Sequence, residues 1–140
     1  YGLWSDIRGE LMPQQAVMQS GQIEIPRARD GHFYITLTID GTPLQFMADT
    51  GATSVVLSQA DAEKLGIDID GLAYGGEART ANGIVRTSRV RLSDVTLGPI
   101  TDNRLDAWVN EGPMDGSLLG MDYLRRYRIE IDGDKMILTR

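Results

Sequence analysis

The chain has 140 residues, which is enough for one domain with a modest hydrophobic core. Its composition, 41% hydrophobic and 24% charged, is typical of a globular protein, and its net charge of −6 argues against a nucleic-acid partner. The sequence has no cysteine, which rules out disulfides, thiol catalysis and cysteine-ligated metals. Because the single histidine, His32, excludes a multi-histidine zinc site, any catalysis has to rely largely on carboxylates.

The first 24 residues show no sustained hydrophobic period, and we predict an arm or linker over residues 1–24 with at most one short helix. Residues 25–140 are predicted to form the folded domain. The sequence contains no apolar run of about 18 residues that would span a membrane. It opens without methionine, and we expect it to be part of a longer protein.

A strand pattern starts at Phe33. The segments FYITLTID and LQFMA alternate apolar and polar residues on either side of Asp40-Gly41, which predicts a β-hairpin. Ser58 is followed three residues later by Asp61, a pattern typical of a helix N-terminus. We therefore predict a short helix over the sequence DAEKL, ending at Gly66.

The second half of the chain also consists of short strands and turns. The segment EARTANGIVRTSRVRL carries Asn82-Gly83 between residues of high β-propensity, which predicts a second hairpin. VTLGPI, LDAWV, YRIEI and the C-terminal DGDKMILTR supply further strands, the last two joined at Asp132-Gly133. About eight short strands with two short helices predict an all-β fold that forms a closed or half-closed barrel.

One carboxylate stands out because it lies between two apolar runs, in FMADTGATSVVLS (residues 46–58). Burying Asp49 without partners would be costly, so either the chain turns back to solvent here or a site holds the charge. An ordinary turn explains Asp49-Thr50-Gly51 by local hydrogen bonds and a positive φ at the glycine. An aspartyl-phosphate enzyme would need nucleotide and metal sites, and no glycine-rich phosphate loop is visible.

The third interpretation of this turn is acid catalysis by paired carboxylates. Here one carboxylate takes a proton from water while the other protonates the scissile carbonyl. Such a pair needs an aspartate that points at its counterpart, a neighbouring hydroxyl that fixes the turn, and a glycine that lets the second backbone approach. Asp49, Thr50 and Gly51 supply these three parts in order.

Three segments resemble the retropepsin-like aspartic proteases. Residues 44–57 resemble the active-site segment, with Asp49-Thr50-Gly51-Ala52-Thr53 between two apolar strands. Leu118-Leu119-Gly120, followed by MDYLRRY, resembles the second signature of the group. Thr80-Ala81-Asn82-Gly83 lies between them, where that group carries its flap. The lead-in from Pro26 to Tyr34 and the GMDYL segment are similar to bacterial members.

This resemblance implies a retropepsin-like acid-protease barrel with one or two short helices. It also implies the activity of an aspartic endopeptidase, which would need no metal or other cofactor. It assigns catalysis to Asp49, the active-site turn to Thr50, Gly51 and Ala52, and a substrate-binding flap to residues 80–83. Since the chain supplies one such aspartate, the site is expected to form across a homodimer and to bind an extended peptide.

The resemblance also bears on location, because bacterial members commonly follow an N-terminal membrane anchor and face the periplasm. We therefore predict a soluble chain that belongs to a longer, anchored protein. Two alternatives remain open at this stage. The first is that the barrel is a non-catalytic peptide-binding or dimerisation module, and the second is that it is a structural barrel in which Asp49 is only a turn residue.

Overall fold

The computed structural model of the protein describes residues 14–80 and 83–140. Over this range two α-helices and one short 3-10 helix, Ile69–Gly71, accompany eleven strands, so the predicted all-β class is confirmed. The strand count exceeds the predicted eight partly because strands of two or three residues carry no periodic pattern. The elements are β1 (Ala16–Val17), β2 (Ile23–Pro26), β3 (Phe33–Ile39), β4 (Thr42–Ala48), β5 (Val56–Leu57), α1 (Gln59–Lys64), β6 (Gly76–Thr80), β7 (Gly83–Leu97), β8 (Ile100–Asn110), β9 (Ser117–Leu119), α2 (Met121–Leu124), β10 (Arg128–Asp132) and β11 (Lys135–Thr139).

Six strands close a barrel in the order β3–β4–β9–β5–β8–β7, with β7 pairing back onto β3. The pairs β4–β9 and β5–β8 are parallel, whereas β3–β4 and β7–β8 are antiparallel. β6 pairs with the first third of β7, residues 83–87, and the two form a hairpin arm at the edge of the sheet. The predicted closed barrel is therefore confirmed.

The barrel interior is filled by the alternating apolar residues of its strands. Along β3 every second residue from Phe33 to Ile39 is buried, as the period of a half-buried strand requires. Fully burying an aliphatic or aromatic side chain contributes about 1.5–3 kcal/mol each. Of the largest side chains with almost no exposure, the barrel strands and α2 contribute Phe46, Ile35, Leu37, Leu44, Leu57, Leu97, Leu105, Leu119, Tyr123 and Leu124.

The first hairpin and the first helix form where the sequence predicted them. Asp40 and Gly41 have positive φ values of 49° and 83°, the conformation of a tight turn that follows the twist of its strands. At the start of α1, the Ser58 hydroxyl accepts a hydrogen bond from the Asp61 N–H at 3.1 Å. Gly66, with φ of 82°, follows the helix and lets the chain turn away.

Two turns differ from the prediction. VTLGPI is not one strand, because β7 ends at Leu97, Gly98-Pro99 forms a turn and β8 begins at Ile100. Proline lacks an N–H, and Gly98 has a positive φ of 57°, so the pair interrupts the ladder. In the second hairpin Thr80 pairs with Gly83, which makes Gly83 the first residue of β7. The residues Ala81 and Asn82 lie outside the described part of the chain.

A second sheet combines both ends of the described chain in the order β1–β2–β11–β10. The predicted boundary between arm and domain, after residue 24, falls inside β2, whose Ile23 and Ile25 are buried. Arg140 fixes this sheet to the barrel by donating to both carboxylate oxygens of Asp102 on β8, at 3.0 and 2.8 Å. The hydrogen bond from Arg140 holds the pKa of Asp102 below its ordinary value.

Candidate active site

Asp49 directly follows β4 and is fixed there by the neighbouring strand. Its N–H donates to the carbonyl oxygen of Leu119 at 2.9 Å, continuing the parallel pairing of Ala48 with Leu119. The two segments singled out in the sequence, around residues 49 and 119, are therefore hydrogen-bonded neighbours. A backbone held by a central strand in this way has little freedom to move.

The turn after Asp49 folds back on its own carboxylate. The N–H of Gly51 donates to Asp49 Oδ1 at 2.9 Å, and the N–H of Ala52 donates to the Asp49 carbonyl at 3.1 Å. A Cβ atom on Gly51 would lie only 3.3 Å from Asp49 Oδ1, so a larger residue would crowd the carboxylate. The side chain of Asp49 is half-buried and Thr50 is exposed, which leaves the turn accessible from outside the barrel.

The second signature packs against the backbone that follows the turn. The N–H groups of Met121 and Asp122, at the start of α2, donate to the carbonyls of Ala52 and Thr53, both at 2.8 Å. Gly120 lies so close to this backbone that a Cβ atom would be 2.4 Å from the Ser54 carbonyl oxygen. The contact accounts for the glycine after Leu118-Leu119 and joins the two signatures into one rigid unit.

A buried polar network holds β9 against α1. The Ser117 hydroxyl accepts a hydrogen bond from the Ser58 N–H at 3.0 Å and donates one to Asp61 Oδ2 at 2.6 Å. Because Ser117 is 1% exposed, losing either partner would leave a polar group unsatisfied. The sequence suggested Ser58 and Asp61 as helix-capping residues and gave no signal for Ser117.

Two cavities are lined by residues that precede and follow the Asp49 turn. The first, of about 580 Å³, extends from Ala52 and Thr53 to the base of the β6–β7 hairpin and is bordered by Trp108. The second, of about 460 Å³, lies beside Met47 and His32. Both are also lined by Leu118 and Met114, and the two cavities together are called the cleft below. Such a cleft, mostly apolar with a few polar groups, is typical of a ligand site.

The hairpin predicted as a flap rises beside the first cavity. Gly76, Glu77 and Ala78 of β6 line that cavity, as do Val85 and Thr87 of β7. At the predicted tip, Thr80 and Gly83 pair through their backbones, whereas Ala81 and Asn82 lie outside the described residues. The structure therefore places the base of this hairpin at the cleft.

Residues 14–80 and 83–140 contain neither a cluster of metal-ligating side chains nor a helix that could span a membrane. In these two ranges no group of three or more histidine, aspartate or glutamate residues is placed to hold a metal ion. Within the same ranges, no helix is both long and apolar enough to cross a membrane. Trp108 and Met114 line the cleft although both are distant from Asp49 along the chain. The sequence alone therefore did not place them at the site.

Comparisons with known proteins agree on the family. Residues 35–126 match the family model described as "gag-polyprotein putative aspartyl protease". An uncharacterized protein of Rickettsia prowazekii is 40% identical over 120 residues, which cover 85% of this chain and 52% of that protein. An uncharacterized protein of Sinorhizobium is 36% identical over 129 residues, covering 88% and 55% of the two chains. The chain thus spans about half the length of these relatives.

A solved structure carries the same fold. The crystal structure of a retropepsin-like aspartic protease from Rickettsia conorii superimposes with a TM-score of 0.77 at 39% identity, covering 84% of this chain and 98% of that one. The residues matched by the family model include both Asp49-Thr50-Gly51 and Leu118-Leu119-Gly120. On this sequence and structural evidence, the chain belongs to the retropepsin-like aspartic protease family.

Proposed function

We propose that the protein is an aspartic endopeptidase in which Asp49 and Asp49 of the partner subunit form one catalytic pair across a homodimer. The observation that carries the proposal is the placement of Asp49. Its half-buried carboxylate is held by the Gly51 N–H at 2.9 Å, on a turn directly followed by Ala52 and Thr53, which line the cleft. One chain supplies one such turn, so a pair requires two copies.

In the proposed reaction, one carboxylate removes a proton from water while the other donates a proton to the scissile carbonyl oxygen. The water oxygen bonds to the carbonyl carbon and gives a tetrahedral diol. Proton transfer to the amide nitrogen then breaks the C–N bond and releases a carboxylic acid and an amine. Thr50 is proposed to brace the two turns against each other, and Gly51 to allow their approach.

The proposed substrate is an extended peptide segment that lies in the cleft and pairs with the β6–β7 hairpin as an additional strand. Incubation with an unfolded protein, followed by mass mapping of the fragments, tests for cleavage. A statine-type transition-state mimic is expected to inhibit it. Binding of the peptide without cleavage would instead favour the non-catalytic module. The chain spans about half the length of these relatives, and a membrane-anchored, periplasmic location stays a prediction.

A shared site predicts that an inactive subunit inactivates its partner. When excess Asp49→Asn protein is mixed with wild type and subunits exchange, most wild-type chains enter heterodimers that hold one competent carboxylate. We expect the peptidase rate to fall at least about tenfold at a tenfold excess of the variant, with exchange followed by native mass spectrometry. A rate that stays proportional to wild-type concentration after complete exchange would show that each chain acts alone.

The proposed flap can be tested at Gly83, whose φ of +114° opposes a β-branched side chain. We expect Gly83→Val to raise KM for a peptide substrate about tenfold or more, and to lower the thermal midpoint no further than its control does. Gly41→Val is the matched control, because Gly41 also has a positive φ, 83°, with nothing within 4 Å, but lies in the β3–β4 turn. Equal effects of the two variants on KM would exclude residues 80–83 as the flap.

A further inference from the structure

The outer face of the β7–β8 pair begins in the cleft and continues beyond it. Thr87 on β7 lines the cavity of about 580 Å³, as do Trp108 and Asn110 on β8. In the register of the two strands Thr87 pairs with Asn110, and Arg89 pairs with Trp108. Since every second side chain of a strand lies on the same face, the surface beyond Trp108 is formed by the next outward residues of both strands.

Three arginines occupy those outward positions. Arg89 and Arg91 lie two residues apart on β7, and Arg104 lies on β8 two residues before Asp106, which pairs with Arg91. The side chains of Arg89, Arg91 and Arg104 are 58%, 61% and 60% exposed, whereas that of Asp106 is 30% exposed. These four residues are called the arginine patch below.

The arginine patch carries a surplus of positive charge. Asp106 Oδ2 accepts a hydrogen bond from Arg89 Nη2, and this bond holds the pKa of Asp106 below its ordinary value, so that the carboxylate is ionised at neutral pH. Three arginines and one ionised aspartate leave a charge of +2 on this face, although the whole chain has a net charge of −6.

Two of these arginines keep N–H groups for an external acceptor. The Nε atoms of Arg91 and Arg104 lie 3.8 and 4.0 Å from Asp106 Oδ1, which is too far for a hydrogen bond. Within the described part of the chain, neither side chain has another hydrogen-bond acceptor. A guanidinium group presents paired N–H donors that match a carboxylate, so the patch is suited to aspartate and glutamate side chains.

The patch is also concave and adjoins the cleft. An open cavity of about 330 Å³ is lined by Arg89, Val90, Arg91 and Asp106. The Arg89 guanidinium lies 5.9 Å from the ring centre of Trp108, so Arg89 borders both this cavity and the cleft. A chain that leaves the cleft over Trp108 therefore meets Arg89 first.

We propose that the arginine patch binds an acidic segment of the substrate, adjacent to the segment that occupies the cleft. The inference rests on the proposed function for the presence of a peptide in the cleft. Four strand residues separate Trp108 from Arg104, about 13 Å, so four extended substrate residues span the patch. The net charge of −6 opposes a long polyanion, whereas a short acidic segment tethered to the occupant of the cleft needs to contact only the patch.

The first test compares two peptides that share one cleavable core, extended either by four aspartates or by four asparagines. Separate peptides carry the tail at either end of the core. We expect the aspartate tail at one or both ends to lower KM about fivefold to tenfold at about 0.1 M ionic strength, with kcat unchanged. At about 1 M the screening length falls from about 10 Å to about 3 Å, and the preference is expected to disappear.

The second test reverses the charge of the patch. In Arg91→Glu/Arg104→Glu the Arg89–Asp106 hydrogen bond is kept, and we expect the preference for the aspartate tail to be lost and a four-lysine tail to be preferred instead. Lys64→Glu/Arg125→Glu is the matched control, because it makes the same change in net charge at side chains that are 65% and 61% exposed and line neither cavity of the cleft. The control is expected to keep the wild-type tail preference. Thermal unfolding of both variants monitors folding.

Binding can be measured without cleavage by fluorescence anisotropy of labelled peptides on Asp49→Asn protein. We expect the dissociation constant of the aspartate-tailed peptide to be about fivefold to tenfold lower than that of the asparagine-tailed one. Four aspartates without the core are expected to bind at least about tenfold more weakly than the tailed peptide, because the cleft then contributes no contact. Adding Arg91→Glu/Arg104→Glu to the same protein is expected to remove the difference between the two tails.

The possible outcomes separate this site from the proposed activity. Cleavage of both peptides with equal KM by wild type would overturn the acidic-segment site and leave the endopeptidase standing. A tail preference in binding that Arg91→Glu/Arg104→Glu abolishes, without cleavage of any peptide, would support the site and overturn the endopeptidase. Equal loss of the preference in Lys64→Glu/Arg125→Glu, or equally tight binding of four aspartates without the core, would indicate a response to overall charge and overturn a site linked to the cleft.

Discussion

Asp49→Asn is expected to fold, to dimerise and to lose at least about 10³-fold in kcat/KM for peptide cleavage. The variant removes both proton-transferring carboxylates from the dimer at once, because each subunit contributes the same residue. The amide oxygen of asparagine still accepts the Gly51 N–H that Asp49 Oδ1 accepts at 2.9 Å, so the turn keeps its shape. The measurement is the initial rate on a fluorogenic peptide, with circular dichroism and sedimentation velocity on the same sample.

A matched control for this substitution lies at the other end of the same strand. Asp40 precedes β4 and Asp49 follows it, so Asp40→Asn makes the same chemical change on the same element, away from the cleft. Asparagine tolerates the positive φ of 49° that Asp40 adopts. We expect Asp40→Asn to retain wild-type kcat/KM. Wild-type turnover in Asp49→Asn would contradict the carboxylate mechanism outright.

Gly120→Ala is expected to lower the free energy of unfolding by about 3 kcal/mol or more, since overpacking against backbone has no inexpensive relaxation. The new Cβ atom would lie 2.4 Å from the Ser54 carbonyl oxygen and 2.8 Å from the Ala52 carbonyl oxygen. Relief of these contacts requires α2 to move away from the segment that follows Asp49. Because a misplacement of about 1 Å can cost about 10²-fold in rate, we also expect cleavage to fall sharply.

Gly116→Ala controls for the loss of glycine in the same segment. A Cβ atom at position 116 meets nothing within 4 Å, and this glycine does not adopt a positive φ. Removing its backbone freedom in the unfolded chain is expected to be neutral or to stabilise by about 0.4–1 kcal/mol. Urea unfolding of the two variants and wild type gives the comparison. Equal stability of Gly120→Ala and Gly116→Ala would mean that residues 52–54 are not held against α2.

Short sequence patterns were enough to predict the turns and the helix start, which depend only on neighbouring residues. Asp40-Gly41 specifies a tight turn, because its backbone readily adopts positive φ, and the Ser58 side chain caps the helix that follows it. The Asp49-Thr50-Gly51 turn and Leu118-Leu119-Gly120 were visible because both rest on short runs of consecutive residues. The family, and with it the barrel, followed from these runs in their order along the chain.

Other features arise only from contacts between distant segments. Residues 49–51 do not explain why residue 120 is a glycine. The fold explains it, because a Cβ atom at position 120 would collide with the carbonyl groups of residues 52–54. Ser117 is an ordinary serine in sequence and a buried hydrogen-bonding bridge in the structure. The cleft likewise depends on Trp108 and Met114, which reach it through strand pairing and loop position.

The terminal strands show the same division between local and long-range causes. Nothing in residues 14–26 repeats with a clear period over a long window, yet Ile23 and Ile25 are buried because β2 lies between β1 and β11. The alternation in Arg-Ile-Glu-Ile-Asp predicted a strand. Ile131 is exposed because the tertiary fold places this strand at the edge of the sheet. Sequence periodicity specifies which residues share a face, whereas burial of that face depends on which strand the tertiary fold places beside it.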